Sequence, residues 1–471
     1  METPVAIPKA SSDPLPELDE FLEPFAPLFR RVQSRQSLER YITGLLTDLP
    51  RKNCDTIAAA VAGTSTERLQ HLLTDAEWDA RRLDALRVGA SSEKSPGEGV
   101  LLLDDTSFAK QGKSSVGVAR QYCGALGKRA NCQVVVSAQY VADEPGSRTP
   151  LHWPVSGRLY LPEEEWARDP GRRERAHVPE EVDFGTKPRL ALDLVDLANG
   201  WEVPFAVVVA DSGYGRNPEF LKGLEERSLP YVCGVERTFG VRRPEEVEAA
   251  EAAGAPAYQG MGQPPKARPA ALYTAEEAIA SLPEEEWELV SWREGTKGTL
   301  GKEMVAKRVH RGIGSPRYYT NSSGHVVTSA EGWLLAERPP GGGTEGERKY
   351  YFAMLGADTP LKRLGELAHS RWAIEQFYED AKGECGLGDF QGRRWDGFHR
   401  HLSLSMLAYS FLMAQSSEEA DKEPSWEEGF SPLASDQTDH APGDPPASAR
   451  VATGGSGVVV HRDRTDKELP P

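Results

Sequence analysis

The chain is poor in cysteine for its length, with five in 471 residues: Cys54, Cys123, Cys132, Cys233 and Cys385. They are scattered, odd in number and never spaced C-x-x-C. That argues against a disulfide framework or a cysteine zinc cluster and fits a reducing compartment. The ten histidines never form H-E-x-x-H. His399 and His401, in "GFHRHL", stand two apart, a spacing that points them away from each other on a helix. They read as surface or satisfied residues rather than ligands. No apolar run approaches the ~18–20 residues that span a bilayer. The opening "METPVAIPKASSDPLPELDEF" lacks the basic start and apolar core of a secretory signal. A cytoplasmic protein with no membrane partner is therefore expected.

Positive charge is also scarce. Lys and Arg total 55 against 72 Asp and Glu, a formal net charge of −17. This is the reverse of the basic balance of a typical nucleic-acid binder. The tails hold much of the deficit: residues 1–29 are net −5 and residues 416–471 net −7, which leaves −5 for all that lies between. Net charge gives no support to DNA binding. Only local runs such as "FRRVQSRQSLERY" can.

What is present is a soluble globular composition, 39% hydrophobic and 27% charged, in a chain too long for one ordinary core. Residues 1–28 are acidic and proline-rich and read as a disordered lead-in. Residues 29–92 read as helices, "LFRRVQSRQSLERYITGLLTDL", "NCDTIAAAVAG" and "STERLQHLLTDAEWDARRLDALRVGA". Ser65 or Thr66 caps the third, and Gly63 closes the second. These suit a helix-turn-helix-like module and equally a plain helical bundle.

The pattern then changes. "GVLLLDDTSF" is a consecutive apolar run, Val100–Leu103, that ends in Asp104 and Asp105. It predicts a strand buried on both faces. "CQVVVSAQYVAD" and "TPLHWPVSGRLYLP" predict further strands. "KPRLALDLVDLANG" predicts a helix with proline near its start and glycine at its end. "PFAVVVADSGYG" predicts a second buried strand, again ending in an aspartate, Asp211. "RNPEFLKGLEER" and "PYVCGV" add a helix and a strand, so the class is α/β. Residues 240–285 are rich in Ala, Glu and Pro. From Trp287 to Phe352 the segments read as long hairpins. Helix returns at "TPLKRLGELAHSRWAIEQFYEDAKGE". "FHRHLSLSMLAYSFLMAQ" is an apolar helix, and from Ser416 the composition is that of an acidic disordered tail.

In open α/β sheets, sites form at the carboxyl ends of strands. Two such ends bear Asp104/Asp105 and Asp211. In "RWAIEQFYEDAKGECGL", at ~100° per residue, Glu375 and Lys382 fall within about 40° of Arg371, on one stripe with Tyr378. Ile374, Phe377 and Ala381 form the neighbouring apolar face. Two strand-end aspartates and a helix glutamate suit Mg²⁺ or Mn²⁺. Two such ions about 4 Å apart can process a phosphodiester, and Arg371 and Lys382 suit its phosphates. Each piece alone has a commoner structural explanation. Aspartates after strands form turns and caps, and an Arg–Glu pair four apart is an ordinary surface ion pair.

The whole arrangement resembles the DDE transposases of bacterial insertion sequences, specifically insertion-sequence family 701, a relative of the family with the Y-(2)-R-(3)-E-(6)-K signature. The R-(3)-E-(6)-K part stands as Arg371, Glu375 and Lys382, while the tyrosine position holds Ala368. "LLLDDTSF", "QGKSSVGVARQYCGALGKRANCQVVVSAQY", "VVVADSGYG" and "RWAIEQFYEDAKGECGLGDFQGRRWDGFHRHL" resemble that family's blocks, over about residues 30–415.

The resemblance implies a ribonuclease H-like catalytic core at 93–239 and 353–415. A β-rich insertion domain at 240–352 and a helical DNA-binding domain at 29–92 would accompany it, with the tail at 416–471. It implies catalytic, metal-holding Asp105, Asp211 and Glu375. Asp105 is preferred because it directly precedes "TS", and Asp104 is the fallback. It further implies phosphate- and DNA-binding Arg371 and Lys382, Mg²⁺ or Mn²⁺ as a pair of ions, and cut-and-paste transposition of double-stranded DNA by a homodimer. In relatives of this type a tryptophan of the insertion stacks on a flipped base. Trp287, Trp292 and Trp333 are the candidates here, each better explained by sheet packing. The alternatives are a catalytically silent, transposase-derived DNA-binding regulator and a haloacid-dehalogenase-like phosphatase. The latter needs D-x-D, which the adjacent Asp104 and Asp105 do not provide.

Overall fold

The structure is a computed structural model that describes residues 15–144, 150–254, 270–295, 298–312, 329–341 and 348–422, with Ala257 and Gly260. The chain divides into two compact units, 1–421 and 422–471. The fold and site described below belong to the first.

Its N-terminal part is helical: α1 (Pro16–Leu22), α2 (Val32–Leu46), α3 (Cys54–Ala60), α4 (Thr66–Thr74) and α5 (Ala80–Glu93). The expected lead-in is partly folded. Leu18, Leu22 and Phe25 recur at helical spacing and are buried, so residues 15–28 belong to the core. Residues 1–14 lie outside the described residues. The third expected helix is two. Ser65 caps α4 and Asp79 caps α5 by accepting backbone N–H bonds.

These helices are tied to the sheet. Buried Arg87 of α5 pairs with Asp84 at 3.2 Å and donates to the carbonyls of Pro154 and Val155. Asp84 in turn accepts from Ser156 and from Ser403. Breaking such a buried pair by removing one partner leaves an uncompensated charge, at a cost of about 3–5 kcal/mol.

The strands are β1 (Gly99–Ala109), β2 (Ala119–Cys123), β3 (Lys128–Val141) and β4 (His152–Leu159), followed by helices α6 (Pro170–Arg175) and α7 (Lys187–Gly200). Then come β5 (Phe205–Ala210), α8 (Ser212–Gly215), α9 (Pro218–Glu226), β6 (Tyr231–Val235), β7 (Gly240–Arg242) and α10 (Pro244–Ala253). The remainder is β8 (Tyr273–Thr274), α11 (Ala275–Ala280), β9 (Glu288–Gly295), β10 (Gly298–Arg311), β11 (Glu331–Arg338), β12 (Lys349–Met354), α12 (Leu361–His369), α13 (Trp372–Glu384) and α14 (Trp395–Lys422).

These strands form one mixed sheet in the order β2-β3-β1-β5-β6-β12-β11-β10-β7-β8, with β4 also on β3 and β9 on β10. β1, β5 and β6 run parallel, and β3 is antiparallel to β1 and β4. The strands expected to make a separate insertion domain extend this same sheet, because β12 pairs directly with β6.

Side chains alternate across a strand, and here both faces are covered. Val100, Leu102, Val207 and Val209 meet α13, α14 and the N-terminal helices on one face. Leu101, Leu103, Val208 and Ala210 meet α7 and α9 on the other. This double cover explains the unbroken apolar runs of β1 and β5. α13 docks through Ile374, Phe377 and Ala381, each at most 1% exposed. Burying the two larger side chains contributes roughly 1.5–3 kcal/mol apiece. The single helix expected over α12 and α13 breaks at Ser370 and Arg371, where the Ser370 hydroxyl donates to the Leu367 carbonyl.

Candidate active site

β1 delivers two adjacent carboxylates to opposite faces of the sheet. Asp104 shares the parity of Val100 and Leu102, the side of α13. Its Oδ2 accepts from Nη2 of Arg371 at 3.1 Å, and the same nitrogen reaches Oε1 of Glu375 at 3.3 Å. Asp105 shares the parity of Leu101 and Leu103, the side of α7. Its Oδ2 accepts from Nζ of Lys187 at 3.0 Å. The sequence reading prefers Asp105 and keeps Asp104 as the fallback; the geometry favours the fallback. A one-residue step along a strand reverses the face, and the residue on the face of Glu375 is Asp104.

Asp211 follows β5, whose even-faced partners are Val208 and Ala210, so it falls on the α13 side. Its carboxylate caps the short turn α8 by accepting from the Tyr214 N–H at 3.2 Å. That turn lies very close to β6. A Cβ on Gly215 would come 2.0 Å from the Gly234 carbonyl oxygen, so only glycine lets Asp211 sit at this depth.

The electrostatics tie the groups together. Burial pushes the Asp104 carboxyl up to about 7. Arg371 opposes that shift, and the like charge of Asp211 adds to it. For Arg371, burial disfavours the charge, but Asp104, Asp211 and Glu375 outweigh it and raise the pKa. Arg371 thus pairs directly with Asp104 of β1 and Glu375 of α13, and the charge of Asp211 is felt at both Arg371 and Asp104. Glu375 is the most open of them, with its side chain 59% exposed. Among the described residues, no group of three His, Cys, Asp or Glu side chains stands close enough to hold a metal ion. The cation among these carboxylates is Arg371.

Lys382 lies further along α13, its Nζ 5.7 Å from the rings of Phe108 and Tyr378. Burial lowers its pKa, partly offset by Cys123 and Asp104. The Tyr378 hydroxyl, expected on the polar stripe, is instead buried 2.7 Å from the Ser137 hydroxyl, and Ser137 is the residue opposite Asp104 in the β1–β3 register.

Ser137 and Lys187 escaped the sequence reading. A serine inside an apolar strand and a lysine at a helix start are not informative alone. The position expected to hold a tyrosine is Ala368, buried at the sheet. A tyrosine does approach from β12: Tyr351 has its pKa raised by burial and then by Glu337, and it senses both Arg371 and Glu375.

The three tryptophans are packed. Arg338 lies 4.1 Å over Trp287. Trp292 stacks on His369 at 3.5 Å and 4°. The Trp333 N–H donates to the Gly356 carbonyl. Of the two histidines expected to be surface or satisfied, His401 is buried and satisfied, and His399 is half-buried with its Nδ1–H donating to the Trp395 carbonyl. The His401 Nε2–H donates to the Gly386 carbonyl, and its Nδ1 accepts from the Tyr41 hydroxyl.

An acidic cluster with basic side chains beside it, at the carboxyl edge of parallel strands in an α/β/α sheet, has the make-up of a phosphate-processing enzyme site. Residues 24–299 match the family described as DDE superfamily endonuclease, a span that includes Asp104, Asp105 and Asp211. That is more than half of the sequence, and the chain belongs to this family. It is also similar to a probable transposase for insertion sequence element IS701 from Microchaete diplosiphon. The two are 28% identical over 230 residues, 48% of this chain and 56% of that protein. The chain thus spans about half the length of the curated relative it matches. Among solved structures, it is similar to the NurA nuclease from Sulfolobus solfataricus at 9% identity, over 70% of this chain and 87% of that one. The TM-score of 0.23 is too low to support any inference. Among the described residues, no helix is long and apolar enough to cross a membrane.

Proposed function

We propose that this chain is the transposase of a bacterial insertion sequence, which cuts DNA at the element's ends and joins the freed 3′-hydroxyl to target DNA. The observation behind this reading is the pairing of Asp104 and Glu375 with Arg371, with the charge of Asp211 acting on the same pair. Family membership and the similarity to a probable transposase support it. The catalytically silent alternative gains nothing from this site, because all three carboxylates are present.

The core is ribonuclease H-like on this reading. Support comes from the strand order β4-β3-β1-β5-β6, with β1, β4, β5 and β6 running one way, β3 alone reversed between β4 and β1, and α13 laid across one face. β7 to β11 are its insertion, and the helices of residues 29–92 are its DNA-binding part.

Asp104, Asp211 and Glu375 offer only carboxylate oxygens, the donors that Mg²⁺ or Mn²⁺ takes. Burial of Asp104, with the like charge of Asp211 adding to it, fits a site that gains by holding a cation. Drawn together, Asp104, Asp211 and Glu375 would hold such a cation, which would supply activation of the attacking oxygen and neutralisation of charge on the leaving one. Arg371 and Lys382, on one helix, hold the phosphate oxygens that flank the cut. The buried flanks of α13 keep these groups in place and water out of the sheet beneath them. The partners are double-stranded DNA, at the ends and at the target, and a second copy of the chain that pairs the two ends.

The test is to incubate the full chain and Mg²⁺ with linear DNA bearing the inverted repeats that flank its gene. Nicks at the repeat ends that leave a 3′-hydroxyl support the reading. Intact DNA with Mg²⁺ and with Mn²⁺ contradicts it.

A further inference from the structure

Residues 106–142 contain no Asp or Glu, although the chain-wide frequency would place about six there. The same stretch holds Lys110, Lys113, Arg120, Lys128 and Arg129. In a chain of net charge −17 this is the reverse of the general balance, and the fold concentrates it. Most of the stretch forms the β2–β3 hairpin, and β2 is the edge strand of the sheet.

In the hairpin register Tyr122 stands opposite Arg129, and Arg120 opposite Asn131. Arg120 and Tyr122 are two apart, so they share a face, and registered partners share it too. The other face is closed by buried Cys123 and Cys132. The open face therefore presents arginine, tyrosine and arginine in one patch, with Tyr122 64% exposed and Leu126 at the tip 48% exposed. Among the described residues, no acidic side chain pairs with Lys113, Arg120, Lys128 or Arg129. Protection of an edge strand needs only charge, of either sign. It does not explain why every charge is positive, nor an exposed tyrosine set between two arginines.

The hairpin also adjoins the carboxylate site. Its β3 strand registers with β1, where Ser137 stands opposite Asp104, and Lys382 lies over Phe108, which shares the face of Asp104. We infer that the β2–β3 hairpin is a DNA-gripping arm: Arg120 and Arg129 hold backbone phosphates of the duplex beside the cut, with Tyr122 against the sugar or base between them. The inference rests on the nuclease reading above and adds the surface along which the flanking duplex leaves the site.

The test measures binding of a short labelled DNA duplex by the full chain as salt is raised. Arg120→Gln with Arg129→Gln is expected to weaken binding roughly tenfold. It should also lower the slope of log affinity against log salt by about 2, close to 0.9 for each lost phosphate contact. Arg120→Lys with Arg129→Lys keeps the slope. Lys222→Gln with Arg237→Gln removes the same charge elsewhere on the surface and binds like the wild type. All these side chains are exposed, so melting temperatures stay level. Unchanged binding by the double glutamine variant overturns the arm, as does an equal loss in the control pair. A wild-type chain that binds no duplex at all overturns the nuclease reading, and the arm with it.

Discussion

Nη2 of Arg371 lies 3.1 Å from Oδ2 of Asp104, a residue 267 positions earlier in the chain. The pair joins the N-terminal end of α13 to the middle of β1, just past the end of its parallel pairing with β5, and both partners are mostly buried. Replacing Arg371 by Met leaves Asp104 and Asp211 facing each other without a cation. In chelator, Arg371→Met is expected to lower stability by about 2–3 kcal/mol. Arg371→Met combined with Asp104→Asn should recover most of that loss, because the stranded charge is gone. Denaturant titrations of the four proteins of this cycle give the coupling. Additive single effects would show that the two side chains do not depend on each other.

Gly215 sets the depth of Asp211. Gly215→Ala places a methyl 2.0 Å from the Gly234 carbonyl oxygen, a backbone atom that cannot swing aside. The turn must lift off β6, and overpacking of this kind costs about 1–3 kcal/mol. Cleavage should fall further than stability does, since Asp211 caps the displaced turn. Thermal melts and single-turnover cleavage of Gly215→Ala, with Gly200→Ala as an unobstructed comparison, test this. A Gly215→Ala protein with wild-type melting and cleavage would show that the turn has room to spare.

His399 and His401 make folding sensitive to acid. Burial pushes both imidazoles down to about 4, from an ordinary 6.5. The unfolded chain therefore binds protons that the folded chain refuses. Their contribution is fully present above pH 6.5 and is lost as the pH falls toward 4. His401 also keeps Tyr41 and the Gly386 carbonyl satisfied in its neutral form. Denaturation midpoints between pH 7.5 and 4.5 should fall steadily, and His401→Gln should fall less steeply while starting lower. Parallel profiles for the two proteins would remove His401 from the explanation.

Much of this was legible beforehand because it rests on local pattern. The apolar runs of β1 and β5 and the acids that follow them point to two parts of the proposed site, and the Arg371–Glu375–Lys382 stripe points to the third. The face of β1 that serves the site was not legible. Period-two alternation separates Asp104 from Asp105, but only packing decides on which side α13 lies. The early helix around Leu18, Leu22 and Phe25 was masked by Pro16, Pro24 and Pro27, which suggest disorder but here sit at helix starts and in a 3₁₀ turn. The continuation of the sheet from β6 into β12 joins strands more than a hundred residues apart, and no local signal specifies that pairing.

The most direct test of the account compares Asp104→Asn with Asp105→Asn in Mg²⁺-dependent, single-turnover cleavage of linear DNA bearing the element's ends, with Glu375→Gln alongside. Neutralising a group at the reacting centre removes charge stabilisation that typically amounts to a factor of about 10²–10³ or more. Asp104→Asn and Glu375→Gln should each lose at least that much, while folding and duplex binding stay near wild type. Asp105→Asn, on the opposite face with Lys187, should keep cleavage within about tenfold of wild type. Full cleavage by Asp104→Asn together with a dead Asp105→Asn would contradict the account and move the site to the other face of β1.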